Sequence, residues 1–177
     1  GRSECRVQTL QFFGDTDRND REKKTGKGGA EAMDTRELFA RLIQCEAGGE
    51  GTDGMMGVAT VVMNRATINY GEFARINGGG DIRSVIEQPG QFTCMKTSVG
   101  GVYNPQNVYN MIPLEEHYAI ADWAIAGGRL PGVDQSLFFH NPYSTSCPVY
   151  FPTRVGVIHN RVGDHCFYIP TSYYAAT

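Results

Sequence analysis

The stretch Asp34-Thr35-Arg36-Glu37-Leu38-Phe39-Ala40-Arg41-Leu42-Ile43-Gln44-Cys45-Glu46-Ala47-Gly48-Gly49 decides how the rest of the chain is read. At about 100° per residue, Leu38, Phe39, Leu42 and Ile43 spread over about 140° of a helix surface, and Glu46 projects near the middle of that apolar stripe. A surface glutamate would point the other way. Unless it meets a cation, a carboxyl on a core-facing stripe is partly desolvated, which favours its neutral form and raises its pKa, the property a general acid needs near neutral pH. An ordinary last-turn glutamate in a frayed helix end is the alternative. Asp34 and Glu37 have the form of a capping box that starts the helix, and Gly48-Gly49 stop it and leave room beside the acid.

Before this helix, Gly14 to Ala32 is dense in Asp, Arg, Lys, Thr and Gly and almost free of apolar residues. It reads as part of a flexible N-terminal arm or linker, residues 1–33, with the folded domain spanning 34–177. After the helix, Thr52 or Asp53 is placed to cap a second one, in which Met55, Met56, Val58, Ala59, Val61, Val62 and Met63 are apolar nearly all round, so it belongs at the centre of the core. Ile82, Val85 and Ile86 make a short third helix that Pro89 ends. Pro113 fits as first residue of a fourth, running to Ala126 with Leu114, Tyr118, Ala121 and Ile125 on one face. From Ser136 the period changes to that of strands: Ser136 to His140, then Val155 to Val162 and His165 to Ile169 as a hairpin through Gly163-Asp164. Helices followed by a few antiparallel strands predict an α+β fold.

The 177 residues, 41% of them hydrophobic, are enough for one domain with a sizeable core and short for two. A net charge of −3 and a pI near 5.8 give no general reason to bind nucleic acid or an anionic membrane. No apolar run approaches the roughly 20 residues of a membrane span. The chain opens on Gly1-Arg2-Ser3 without a signal-peptide pattern, as expected of a processed or recombinant fragment. Five cysteines, Cys5, Cys45, Cys94, Cys147 and Cys166, show no CxxC pair, which argues against zinc. Cys147 and Cys166 can form a disulfide in an oxidising compartment, and free buried thiols fit equally well.

Glu46 and Glu50 place two carboxylates within five residues, and two acids are what most glycoside hydrolases use. The helix break falls between them, so Glu50 is expected to bond amides at the start of the second helix, with a catalytic role as the alternative. A cysteine hydrolase is the competing enzyme: Cys45 adjoins Glu46, and His117, His140, His159 and His165 are available as bases. It is weaker on geometry. Cys45 sits at a helix C-terminus, where the dipole disfavours a thiolate, so a buried inert thiol is expected. No two histidines share the i, i+4 spacing of a helical metal site. Phe92, Tyr103, Tyr109, Phe138, Phe139, Tyr143, Tyr150 and Phe151 lie near loops rich in Asn and Gln, a combination suited to stacking on sugars and bonding their hydroxyls. Most of these rings are expected to be core.

Five blocks carry a resemblance: Leu42 to Glu50, Gly57 to Arg65 (GVATVVMNR), Gln88 to Phe92 (QPGQF), Ser136 to Pro142 (SLFFHNP) and Arg161 to Tyr168 (RVGDHCFY). In order and spacing, over roughly Asp34 to Pro170, the chain resembles the spore cortex-lytic cell-wall hydrolases of the SleB/CwlJ family. That resemblance implies a lysozyme-like domain, as in lytic transglycosylases and resuscitation-promoting factors, with one glutamate at a helix end as the acid, here Glu46. It implies cleavage of the β-1,4 bond between N-acetylmuramic acid and N-acetylglucosamine in peptidoglycan, with no metal or organic cofactor. It also implies a cell-wall, spore or extracellular location and accessory wall or spore proteins as further partners. The N-terminal arm and the extra cysteines depart from the family, which leaves spore cortex specificity and a general wall-remodelling or phage-type role both open. Gln91, Phe92, Tyr103, Phe139 and Asn141, with Glu50, are the candidates for holding the sugars. Besides a lytic transglycosylase, the readings kept are a hydrolytic muramidase with a second acid and a non-catalytic glycan-binding module.

Overall fold

The computed structural model describes residues 33–177. The proposed arm therefore lies almost wholly outside the described residues. Its last residue, Met33, is already buried, and its carbonyl accepts a hydrogen bond from Arg83 Nη2.

Helix α1 (Thr35–Ala47) starts as the sequence requires: the Asp34 carboxylate accepts from the Glu37 amide at 2.7 Å. Glu37 itself does not reach back; it pairs with Arg41 at 3.6 Å. Leu38, Phe39, Leu42 and Ile43 are all fully buried, so the stripe is the inward face. Helix α2 (Gly51–Thr67) has Glu50 at its N-cap, with no side-chain cap. This corrects the expected cap at Thr52 or Asp53: Gly51 adopts φ +78°, which turns the chain into the helix so that the cap falls two or three residues before those polar candidates. The apolar girdle of α2 is buried, and α1, α2 and the later helix α5 (Glu115–Ile125) pack on one another as the main core.

Two short helices, α3 (Gly71–Ile76) and α4 (Ile82–Ile86), follow. The sequence shows the second, ended before Pro89, and misses the first. A hairpin of two-residue strands, β1 (Ser98–Val99) and β2 (Val102–Tyr103), turns through Gly100 and Gly101, whose φ values of +59° and +79° suit a two-residue hairpin loop. Helix α5 begins two residues after Pro113 and stops at Ile125. Its inward residues are His117, Ile120, Ala121 and Ala124, while Leu114 and Ile125 are exposed. The predicted face is therefore rotated, because His117 turns inward to accept the Leu114 amide on Nδ1 at 2.9 Å and serves as a cap.

The C-terminal third is a three-stranded antiparallel sheet of order β3-β5-β4, with β3 (Phe138–His140), β4 (Gly156–Val162) and β5 (His165–Pro170), closed by the one-turn helix α6 (Ser172–Ala175). Helices followed by a small sheet make the fold α+β, as predicted. Strand alternation divides the interior. Phe139 and Phe167 enter the main core, whereas Phe138 and Tyr168 join a second cluster with Phe73, Phe151 and Tyr174. Where α2 meets the sheet, a Cβ on Gly57 would lie 2.7 Å from the Phe167 ring, so glycine is needed for the close approach.

Cys45 is bonded to Cys94 and Cys147 to Cys166. The first corrects the expected free thiol at Cys45: the helix end and the loop after Phe92 meet across the core, a contact between residues 49 apart that spacing does not reveal. Cys5 lies outside the described residues.

Candidate active site

Glu46 is in the last turn of α1 with no solvent exposure, and neither carboxyl oxygen has a partner at hydrogen-bond geometry. Burial holds its pKa well above the ordinary carboxylate value; the Arg65 charge opposes this in part, and the Cys94 backbone amide opposes it too, acting from beyond strict hydrogen-bond geometry. Burial thus favours the neutral acid, and neither carboxyl oxygen is committed to a protein partner.

Arg65, in the last turn of α2, is also fully buried. Its Nε donates to Leu137 O at 2.7 Å and its Nη1 to Gln91 Oε1 at 3.2 Å. The guanidinium carbon stands 4.5 Å from the ring centroid of Phe73, 5.3 Å from that of Phe92 and 5.7 Å from that of Phe138, within cation–π range of all three. Desolvation lowers its pKa to about 10, so it remains a cation at neutral pH. The sequence reading quoted Arg65 only as part of a motif. The available signal was a charge in the last turn of a helix apolar all round, the same irregularity that singled out Glu46.

The rest of the Gly57 to Arg65 block docks the chain that leads into β3. Thr60 Oγ1 accepts from the Leu130 amide, Asn64 Nδ2 donates to the carbonyls of Asp134 and Ser136, and Asn64 Oδ1 accepts from Arg129 Nε. With Gly57 they form one helical face, at i, i+3 and i+7.

Of the residues expected to hold sugars, Gln91 is buried and bound to Arg65. Phe92 and Phe139 are interior rings, 1% and 0% exposed, with centroids 6.5 Å apart. Neither presents a face on which a sugar can stack; they support the arginine and the core instead. Tyr103 is exposed on β2, its hydroxyl accepting from Asn110 Nδ2 at 2.8 Å. Asn141 is nearly buried, and its Oδ1 closes the turn after β3 by accepting from the Tyr143 amide. Gln91 and Phe92 thus come together around Arg65, while Tyr103 and Asn141 occupy separate loops. Glu50 does not bond the amides that open α2. Its Oε2 accepts instead from the Asp164 amide in the β4–β5 turn, and partial burial raises its pKa.

The cysteine-hydrolase reading falls with the Cys45–Cys94 bond, which leaves no thiol beside Glu46. The histidines have other employment. His117 caps α5, His140 bonds Tyr168 Oη at 2.8 Å, His159 bonds Asp134 at 2.8 Å, and His165 is buried against Phe139 and Phe167. Among the described residues no three His, Cys, Asp or Glu side chains are grouped to hold a metal ion.

The sequence profile of the Cell Wall Hydrolase family matches residues 49–168. The chain belongs to the cell wall hydrolase family. The match starts three residues after Glu46. The chain is similar to the cell wall hydrolase CwlJ of Bacillus subtilis, 32% identical over 136 residues that cover 77% of this chain and 85% of the relative. CwlJ of Halalkalibacterium halodurans matches at the same identity and coverage. Among solved structures, the catalytic domain of the germination-specific lytic transglycosylase SleB from Bacillus anthracis aligns with a TM-score of 0.53 at 24% identity, covering 79% of this chain and 98% of that domain. The catalytic domain of Bacillus cereus SleB aligns with a TM-score of 0.54 at 23% identity, covering 81% and 99%. At those identities the alignments establish a shared fold for this member of the family. Its substrate is the peptidoglycan of the wall, and no helix among the described residues is long and apolar enough to cross a membrane.

Proposed function

We propose that this cell wall hydrolase cuts peptidoglycan strands at the β-1,4 bond between N-acetylmuramic acid and N-acetylglucosamine as a lytic transglycosylase, with Glu46 as its single catalytic acid. The observation that carries the reading is the buried, unpartnered Glu46 carboxyl, held neutral by desolvation. Glu46 protonates the glycosidic oxygen, the bond to C1 of the muramoyl residue breaks, and an oxocarbenium-like cation forms. The Glu46 carboxylate then takes the proton of the same sugar's C6 hydroxyl as its oxygen closes on C1. The acid is regenerated and the product ends in a 1,6-anhydromuramoyl residue.

The chemical environment of Glu46 favours one acid over two. In retaining glycosidases the two carboxyl groups stand about 5 to 5.5 Å apart and perturb each other. Here the charge that acts on Glu46 is the Arg65 cation, which opposes the effect of burial in part. Glu50, the first suspect for a second acid, is engaged with the Asp164 amide. Because Glu46 is closed off from solvent in the free protein, glycan binding has to part the wall around it before the glycosidic oxygen reaches hydrogen-bond distance. The likeness to the catalytic domain of the germination-specific lytic transglycosylase SleB of Bacillus anthracis supports the transglycosylase chemistry and a place in spore germination. Accessory wall or spore proteins, and a cell-wall, spore or extracellular location, belong to the same reading.

Mass spectrometry of muropeptides released from purified peptidoglycan tests it. Anhydromuramoyl ends are expected. Products heavier by one water, with reducing muramic acid ends, would assign a hydrolytic muramidase, and binding without turnover would assign a glycan-binding module.

A further inference from the structure

Among the described residues Glu46 and Arg65 are both fully buried, and the reaction as written uses only the first. The second is over-determined in position and under-used in bonding. Leu137 O and Gln91 Oε1 fix two edges of the guanidinium and three rings flank it, yet Nη2 is buried with no acceptor. An orphaned donor on a buried cation is costly, and such groups persist where they serve a transient state.

The segment from Gln91 to Cys94 links the two groups physically. Gln91 holds the arginine, the Phe92 ring lies beneath its guanidinium, and the Cys94 amide acts on the Glu46 carboxyl. The disulfide from Cys94 to Cys45 fastens that segment to the residue immediately before Glu46. The helix ends carrying Glu46 and Arg65 are thereby clamped through four consecutive residues.

We infer that Arg65 is a positioning residue for the proposed reaction: its fixed cation steadies the Glu46 carboxylate left after proton transfer, so that the same group can take the C6 hydroxyl proton. The inference rests on Glu46 being the acid. In the structure both Glu46 carboxyl oxygens and Arg65 Nη2 are buried without a hydrogen-bond partner, and burial favours the neutral acid. Once the proton leaves, a buried carboxylate and the free guanidinium edge are of opposite sign in a medium of low dielectric, where their attraction is greatest.

Several other charges on elements packed around α1 have partners of their own. Asp122 of α5 pairs with Arg36, and Glu87 next to α4 pairs with Arg83. Glu116 of α5 faces His117, and Arg41 donates to the carbonyls of Val108 and Tyr109. Glu72 and Tyr174 act on the Arg65 charge as well, each more strongly than the neutral-favoured Glu46.

The test is the alkaline limb of the pH dependence of kcat/KM on purified peptidoglycan, read beside the titration of the Glu46 carboxyl carbon by NMR. Activity needs protonated Glu46 and is lost as pH rises through its pKa, so removing the cation moves the limb upward. Arg65→Met is expected to raise both the limb and the carboxyl titration by about one pH unit or more and to lower kcat by about tenfold, with KM changed less. Arg65→Lys, which keeps the charge, is expected to restore the limb to within about half a unit of wild type. Should Arg65→Met fail to fold, Gln91→Glu carries the test: a carboxylate on Nη1 neutralises the cation and raises the limb in the same direction. A limb and titration that stay at their wild-type pH in folded Arg65→Met or Gln91→Glu protein would overturn the inference and leave Arg65 a structural residue. An active Glu46→Gln variant would instead overturn the acid assignment itself, so the two failures are distinguishable.

Discussion

Glu50 accepts a hydrogen bond from the backbone amide of Asp164 at 3.0 Å, a contact between residues 114 apart that ties the start of α2 to the turn of the β4–β5 hairpin. The turn is shaped for it. Gly163 has φ +58°, and a Cβ there would stand 2.8 Å from Glu50 Oε2. The second carboxylate of the Glu46 to Glu50 stretch thus acts as a latch between the helical core and the sheet.

Glu50→Ala is expected to lower stability by roughly 1 to 2 kcal/mol, the worth of a partly exposed hydrogen bond to a charged group. Glu50→Gln keeps an acceptor and should lose less. Both variants are expected to cleave glycan within about tenfold of wild type when assayed well below their melting temperatures. Urea denaturation and turnover on the same samples check this; a stable Glu50→Gln protein with no turnover would make Glu50 a second acid.

Replacing Cys45 and Cys94 together by alanine removes a link that closes a loop between residues 49 apart. The expected loss is about 2 to 4 kcal/mol, or roughly 5 to 15 °C in melting temperature for a domain of this size. Calorimetry of the double variant against wild type measures it. A change under about 2 °C would show that the segment carrying Gln91 and Phe92 is held without the bond.

His165 is buried and neutral, with a pKa lowered to about 4 by desolvation, and its Nδ1 has no partner. A histidine whose folded pKa is depressed contributes stability that is present above its unfolded value near 6.5 and is lost as pH falls toward 4. The loss amounts to up to about 3 kcal/mol in wild type. His165→Phe, compatible with the flanking rings of Phe139 and Phe167, is expected to flatten that acid limb. Melting temperatures between pH 7 and pH 4 compare the two; parallel curves would contradict the assignment.

Glu46 titrates in the opposite sense. Its folded pKa is raised, so the stability linked to it is fully present below the unfolded value of about 4.5 and declines as pH rises toward the folded pKa. Glu46→Gln carries no such penalty and is expected to become more stable than wild type as pH climbs through that window. Denaturation midpoints of the two proteins across pH 4 to 8 show whether the gap opens with pH as stated.

The main helices and the sheet were legible because their periods are long enough to show: α1 and α2 present sustained apolar patterns, and β3 and β5 alternate between two cores. Glu46 was legible as an interruption of such a pattern. Helices α3 and α6 were not, because neither carries the apolar i, i+3, i+4 triplet that marks α4 at Ile82, Val85 and Ile86. They exist through tertiary bonds, with Tyr174 Oη donating to Tyr70 O and accepting from the Phe73 amide. The sugar-contact expectations for Phe92 and Phe139 met a similar limit, since composition does not show which side of a loop a ring faces. Arg65 is marked in the sequence only as a charge in the last turn of an apolar helix, the kind of interruption that also marks Glu46.

The most direct measurement is the rate at which folded Glu46→Gln protein cleaves purified peptidoglycan. Glutamine keeps the shape of the side chain and removes the transferable proton, so the account predicts a fall of at least about a hundredfold with the melting temperature retained or raised. More than roughly a tenth of wild-type activity in that folded variant would contradict the claim that Glu46 is the acid.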